Sequence, residues 1–472
     1  MKEIRLNAFD MNCVSHQASG LWRHPRDRSD QYHTLQYWTD LARTLERGLF
    51  DALFLADVLG IYDVYGASPV AALRNAAQVP VNDPAMLVSA MASVTRNLGF
   101  GLTATLSYEH PFPFARRMST LDHLTQGRIG WNIVTGYLDS AAKGTGKAQQ
   151  SSHDARYDIA DEYMRVVYDL WEGSWEDDAV RRDRTSGVFT DPSKVHRIRH
   201  DGNYFTVDAI HLSEPSPQRT PVLFQAGASR RGRQFAGTHA ECVFIAGPSK
   251  EIVRKTVASI RGQALIQGRR SDEPLIFSLL TIVTAPTHAE AWAKYEDYKQ
   301  YISLEGALTL LSGWTGVDFA QYQYDEPVRH VRNDAINSAI DSLTILNPDK
   351  VWTVGELARH AAIGGMGVTI VGSPTEIADQ MEAWMEETGI DGFNLAYAVA
   401  PETFEDIVDL IIPELQKRGR YKTAYQPGTL RQKLFGRGDR LGNTHVAHES
   451  RFYQKPEKAG QAEAVCEGYQ KL

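Results

Sequence analysis

Eight short apolar runs, each followed by a stretch with apolar residues at helical spacing, leave few folds open to this chain. The runs are 4–11 (IRLNAFDM), 51–57, 100–107, 129–135, 221–227, 241–247, 274–284 and 391–399. In the first intervening stretch, 34–48, Leu35, Trp38, Leu41 and Leu45 recur on one helical face and Gly48 supplies a stop. Further helices are predicted over 84–98, 113–126 and 157–171. Strands alternating with helices imply βα units with right-handed crossovers. Several runs are apolar at successive positions, which suits parallel strands buried on both faces. Eight such units predict an α/β fold closed into a (β/α)8 TIM barrel rather than an open doubly wound sheet. No GxGxxG follows a predicted strand, and Gly144-Thr145-Gly146-Lys147 lacks the phosphate-loop spacing that an open nucleotide-binding sheet would need.

One barrel domain is expected over residues 1–420, with insertions at about 137–155, 173–220 and 304–366, and a C-terminal extension over 421–472. The first insertion reads as a polar loop. The second contains a hairpin pattern with Asp201-Gly202 at its turn, and the third is long enough to serve as a lid. The tail is basic, Gly-rich and aperiodic; it either wraps a neighbouring subunit or stays partly ordered. With 43% hydrophobic residues, the 472-residue chain can fill a large core. A net charge of −8 argues against nucleic acid as a partner. No apolar run reaches the ~18 residues that a membrane span needs, and the strand-like start does not read as a signal peptide. Three sparse cysteines, Cys13, Cys242 and Cys466, point to a reducing cytoplasm without disulfides.

In a barrel of this kind the chemistry sits at the C-terminal strand ends. The segment Gln225-Ala226-Gly227-Ala228-Ser229 runs from a strand into a helix, where free N–H groups favour an anion. Ser229 either donates to a phosphate there or only caps the helix. His153 and Tyr157, opening the helix over 157–171, suit phosphate or ribityl contacts, and equally suit a plain surface. Cys13, His16, Tyr62 and Gln78 fall on loops after the first two strands. Cys13 reads better as a packed thiol than as a nucleophile, and His16 as an acid–base group or a loop hydrogen-bonder. The His, Asp and Glu spacing suggests no metal site, and no GxSxG elbow supports a hydrolase.

The motifs Asn7-Ala8-Phe9-Asp10-Met11-Asn12-Cys13, Gly20-Leu21-Trp22-Arg23-His24-Pro25, Trp131-Asn132-Ile133-Val134-Thr135, His153-Asp154-Ala155-Arg156-Tyr157 and Pro413-Glu414-Leu415-Gln416-Lys417-Arg418-Gly419 occur in this order. Together they resemble the bacterial-luciferase-like flavin monooxygenases, in the branch of the nitrilotriacetate and dibenzothiophene-sulfone enzymes. Gln78-Val79-Pro80-Val81-Asn82-Asp83-Pro84 and Tyr108-Glu109-His110-Pro111 bring the chain nearest to the long-chain alkane and dimethylsulfide types. The resemblance implies a cytoplasmic homodimer or homotetramer that uses FMN as FMNH2, supplied by a separate NAD(P)H:flavin reductase. It further implies transfer of one oxygen atom from O2 to a small or apolar organic substrate, through a flavin hydroperoxide. Asp57, Thr103 and Asn132 would lie near the flavin ring. His153, Tyr157, Ser229 and the Ala228 backbone would hold the ribityl phosphate. Cys13, His16, Tyr62, Gln78 and Tyr137 would face substrate, with His16 and Tyr62 as candidate proton donors. Two departures fall on that side: the alkane type has histidine at the position of Tyr137, and histidines in the loop that here reads Leu304 to Leu311 without any. A flavin or deazaflavin dehydrogenase on the same barrel, or a non-catalytic flavin binder, are the competing readings.

Overall fold

The computed structural model describes residues 2–227, 229–270, 272–328 and 351–451. Among them, nine strands form one parallel sheet: β1 (Arg5–Met11), β2 (Ala52–Ala56), β3 (Gly99–Thr105), β4 (Ile129–Val134), β5 (Val222–Gln225), β6 (Cys242–Ile245), β7 (Leu275–Thr284), β8 (Val368–Gly372) and β9 (Gly392–Ala396). Eight of them close the barrel in the order β1-β2-β3-β4-β5-β6-β7-β9, with β9 pairing back to β1. These eight are the runs read from the sequence. The ninth, β8, was not expected. It pairs with Leu280–Thr284, the half of the long β7 that outruns β6, and so raises one rim of the barrel.

The barrel interior is aromatic. Phe9, Phe54 and Phe224 pack edge to face with centroids 5.6 and 5.4 Å apart. Glycines on the neighbouring strands make the room: a Cβ at Gly101 would lie 2.9 Å from Phe54, and one at Gly130 2.6 Å from Phe224. The tail expected to be aperiodic contains a short helix, α6 (Leu430–Phe435), whose Leu430 and Leu434 join this cluster and plug the barrel on the side away from the strand ends. Beside it the buried Arg431 grips Glu241 through Nε and Nη2 at 2.7 and 2.8 Å.

Helix α1 (Leu35–Arg47) follows the predicted pattern, with Thr34 accepting from the Tyr37 N–H as its cap. Leu35 is exposed, however, and Tyr37 takes its place on the buried face. The helix expected over 84–98 stops at Ser93, because the Glu46 carboxylate accepts the backbone N–H groups of Arg96, Asn97 and Leu98 and holds them in a turn. Helix α2 (Pro111–Leu124) starts at a proline, with His110 as cap. Helix α3 (His153–Tyr168) begins four residues before its expected start, so His153 and Tyr157 lie on its first turns. The 137–155 segment is no mere loop: it holds a short helix, Asp139–Gly144. Within 173–220 the hairpin is present, pairing Ile198–Asp201 with Thr206–Ala209 around a turn whose N–H groups Glu162 accepts. In the third insertion, helix α5 (Leu304–Thr315) is buried nearly all round; residues 329–350 of that insertion, and Cys466, lie outside the described residues.

Candidate functional site

A cavity of about 470 Å³ opens at the C-terminal strand ends, within the usual range for small-molecule sites. It is continuous from α3 and the start of α4 (Arg230–His239) at one end to Tyr62, Tyr137 and Trp314 at the other. His16, Asp57, Tyr62, Gln78, Tyr137, His153, Tyr157 and Ser229 all line it.

Three other expected residues do not. Cys13 is buried in a bridge to Val81, and burial pushes its thiol well above the ordinary value, so it has no nucleophilic thiolate to offer. Thr103 and Asn132 point into the barrel, where the Asn132 amide donates to the Thr103 hydroxyl at 2.9 Å. The strand pleat places Thr103 one layer below Thr105, and it is Thr105 that reaches the cavity. Ala228 lies outside the described residues.

At the α4 end, Ser229 caps the helix by accepting the Gly232 N–H through Oγ at 2.9 Å. A hydroxyl that accepts through one lone pair keeps its proton to donate, so capping and anion binding are compatible roles. The Tyr157 hydroxyl lies so close to the α4 entry that a Cβ would come within 3.1 Å of it at Gly227 and 2.8 Å at Gly232. Glycine is what lets backbone and phenol meet. Arg231 stacks its guanidinium over the Tyr157 ring at 5.4 Å while pairing with Asp158 and Asp161, which anchors α4 to α3. The Gln225 Oε1 is buried without a hydrogen-bond partner among the described residues. Backbone N–H groups at a helix start, the capping Ser229 hydroxyl, the Tyr157 phenol and the unsatisfied Gln225 amide oxygen make a donor and acceptor set that fits a ribityl phosphate.

The opposite end is built around one oxygen. Gln78 donates its amide N–H to the His16 carbonyl at 2.8 Å, which fixes its Oε1 toward Tyr62. The Tyr62 hydroxyl donates to that Oε1 at 3.0 Å and accepts the Trp314 indole N–H at 3.2 Å. It also meets the Tyr137 hydroxyl at 2.6 Å. With its single proton committed to Gln78, Tyr62 accepts from Tyr137, and all its bonding capacity is used. Burial pushes the Tyr62 hydroxyl well above its ordinary value; Tyr137 is 44% exposed, and only its hydroxyl, turned in against Tyr62, is shielded and raised to about 12. In this arrangement neither phenol keeps a proton free for the cavity: that of Tyr62 goes to Gln78 and that of Tyr137 to Tyr62. Gln78 holds this position with a left-handed backbone, φ 53°, a strain typical of functional sites.

His16 packs edge-on against Phe9 with centroids 4.4 Å apart, and burial lowers its pKa to about 3. It is a neutral imidazole near neutrality, so a proton it supplied would come from its ring N–H rather than from an imidazolium. Asp57, by contrast, has its pKa raised to about 7, first by burial and then by the charge of Asp83. It is the carboxyl in the cavity whose protonation changes in the working pH range.

Sequence reasoning missed Trp314 and Arg156 as lining residues. Trp314 sits on a helix read only as an insertion, and its spacing carries no signal. No group of three His, Cys, Asp or Glu residues that could hold a metal occurs among the described residues. None of the described helices is long and apolar enough to cross a membrane.

Residues 15–392 match the family described as luciferase-like monooxygenase. The chain is a luciferase-like monooxygenase. It is 54% identical over 451 residues to the dimethyl-sulfide monooxygenase of Hyphomicrobium sulfonivorans, covering 95% of this chain and 94% of that enzyme. It is 51% identical over 449 residues to the long-chain alkane monooxygenase of Geobacillus thermodenitrificans, covering 94% and 97%. The crystal structure of DmoA from Hyphomicrobium sulfonivorans superposes with a TM-score of 0.91 at 52% identity, over 98% of this chain and 100% of the other. This luciferase-like monooxygenase is thus a flavin-dependent oxidoreductase, with its cavity where the family's barrel places its chemistry.

Proposed function

We propose that this monooxygenase takes reduced FMN from a separate flavin reductase and places one atom of O2 on a small apolar organic substrate, an alkane or an organosulfur compound. The observation that carries this reading is one continuous cavity with two unlike ends. Ser229, Tyr157, His153 and Gln225 would hold the phosphate and ribityl part, and Asp57 would face the ring. Bound reduced flavin supplies the electrons that activate O2.

The chain's own residues orient, exclude water and manage a proton. Phe9, Met11, Ile133 and Leu138 give the cavity apolar walls that keep water from the reacting centre. Helix α5 closes the substrate end through Trp314. Tyr137, its proton held by Tyr62, would offer substrate its hydroxyl oxygen as an acceptor, while Asp57 would exchange a proton near pH 7. The relatives that act on dimethyl sulfide and on long-chain alkanes support an uncharged substrate.

The test is turnover with and without a flavin reductase. The purified chain is incubated with NADH, FMN, O2 and a panel of thioethers and alkanes. Product is expected only when the reductase is present. Robust NADH-driven turnover by the chain alone contradicts the two-component reading. Hydride transfer without O2 consumption favours a dehydrogenase instead.

A further inference from the structure

Helix α5 presents one residue to the cavity, Trp314, in its last turn. Its indole is held from several directions. The ring N–H donates to the Tyr62 hydroxyl at 3.2 Å, and Tyr62 is itself fixed by Gln78. The far edge meets the turn at Gly365, where a Cβ would lie 3.4 Å from Cη2. The indole also packs against two apolar clusters, one containing Tyr62, Leu138 and Leu310, the other Leu311, Phe319 and Leu357. Leu310 lies one turn earlier on the same side of α5 and is buried, yet it does not reach the cavity.

A side chain held in this way forms a rigid end wall. Its N–H is spent on Tyr62, and both phenol protons are spent beside it, so the wall selects by shape rather than by hydrogen bonding. Swinging the indole aside would give up that bond and uncover apolar core. The cavity of about 470 Å³ has to hold the flavin as well as the substrate. The substrate is left the space between the flavin ring and the indole. A methylene beyond that space meets packed aromatic surface, and a close-packed interior yields only at a cost in strain.

We propose that Trp314 sets the length of substrate this enzyme accepts, admitting thioethers and alkanes of a few carbons and excluding long chains. The inference rests on the proposed oxygenation of an apolar substrate. Without the indole, the cavity would extend toward Leu310 and the apolar core beneath α5.

The experiment measures kcat/KM for dialkyl sulfides from dimethyl to dihexyl, with FMN, NADH and a flavin reductase, for wild type, Trp314→Ala and Trp314→Phe. Wild type is expected to prefer the short members. Trp314→Ala should raise the dihexyl-to-dimethyl ratio at least about 10-fold, since a single methylene in an apolar pocket is worth about that much. Trp314→Phe should raise it less. A residue that only supports the fold would lower every member alike, and an unmoved ratio overturns the proposal. If Trp314→Ala does not fold, the ratio of Trp314→Phe decides, and a rise of severalfold is expected. Wild type that turns over dihexyl sulfide as fast as dimethyl sulfide overturns the proposal and leaves the monooxygenase reading intact. Wild type that oxygenates no sulfide of the series, and no alkane of the same lengths, overturns both.

Discussion

The Tyr62 oxygen has three partners and no spare capacity, so its removal leaves each partner worse off. Tyr62→Phe strands the buried Gln78 Oε1 and the Trp314 N–H. It is expected to cost about 1–3 kcal/mol of stability, read as a lower urea midpoint, together with loss of turnover; an unchanged midpoint would show that the network is not formed. Asp57 gives a second outcome at this scale. Its folded pKa of about 7 lies above the ordinary 3.8 of the unfolded chain. Between these values the folded protein holds a proton that the unfolded chain has released, so stability falls as pH rises through this window and levels off above about 7. The slope from this one group is at most about 1.4 kcal/mol per pH unit. Asp57→Asn removes it. Between pH 5 and pH 8, ligand-free wild type should therefore lose more stability than the variant in chemical unfolding. Asp27, raised to about 6, contributes in the same direction to both proteins and cancels in the difference.

Helix α5 offers a test by sign. Replacing a mid-helix glycine with alanine ordinarily stabilises by about 1 kcal/mol. At Gly313 the new Cβ would sit 1.9 Å from Tyr62 Cδ1, so Gly313→Ala should lower the thermal midpoint and displace Tyr62 from Gln78. A raised midpoint would mean that α5 does not rest on Tyr62. The same helix marks the limit of what the sequence made legible. The eight barrel strands could be read because runs buried on both faces alternate with amphipathic helices. Helix α5 is buried nearly all round, so its apolar residues give no one-sided period and it passed for an insertion. The run over β8, Val368–Gly372, did carry a signal, β-branched residues beside Gly367. It was missed because eight strands already closed the barrel.

On the scale of the whole molecule, the barrel is finished from its far end by the tail. Arg431 is fully buried, and its guanidinium satisfies Glu241 and the carbonyls of Gln218, Thr220 and Pro221. Arg431→Met leaves Glu241 as a buried unpaired charge and should cost about 3–5 kcal/mol. Adding Glu241→Gln should recover part of that loss, as a double-mutant cycle would show; no recovery would mean that the helix, not the pair, carries the stability. The site was legible to a similar depth. Residues near strand ends, such as Asp57 and Ser229, could be placed because barrel topology brings strand ends together, and Tyr137 through the family likeness. Trp314 could not, because its approach to Tyr62 spans 252 residues of sequence and depends on how an insertion packs. Cys13, Thr103 and Asn132 also sit near strand ends, but Cys13 is held in a strand bridge and Thr103 and Asn132 lie one layer too deep in the barrel to line the cavity.

On the proposed function, this barrel places oxygen from O2 on an organic substrate using reduced flavin delivered from outside. Single-turnover mixing of the anaerobic protein–FMNH2 complex with ¹⁸O₂ and dimethyl sulfide or an alkane, followed by mass analysis before solvent exchange, tests it directly. One ¹⁸O atom in the organic product, and the other in water, is the predicted result. Product oxygen drawn from water, or substrate oxidised while O2 is not consumed, would contradict it.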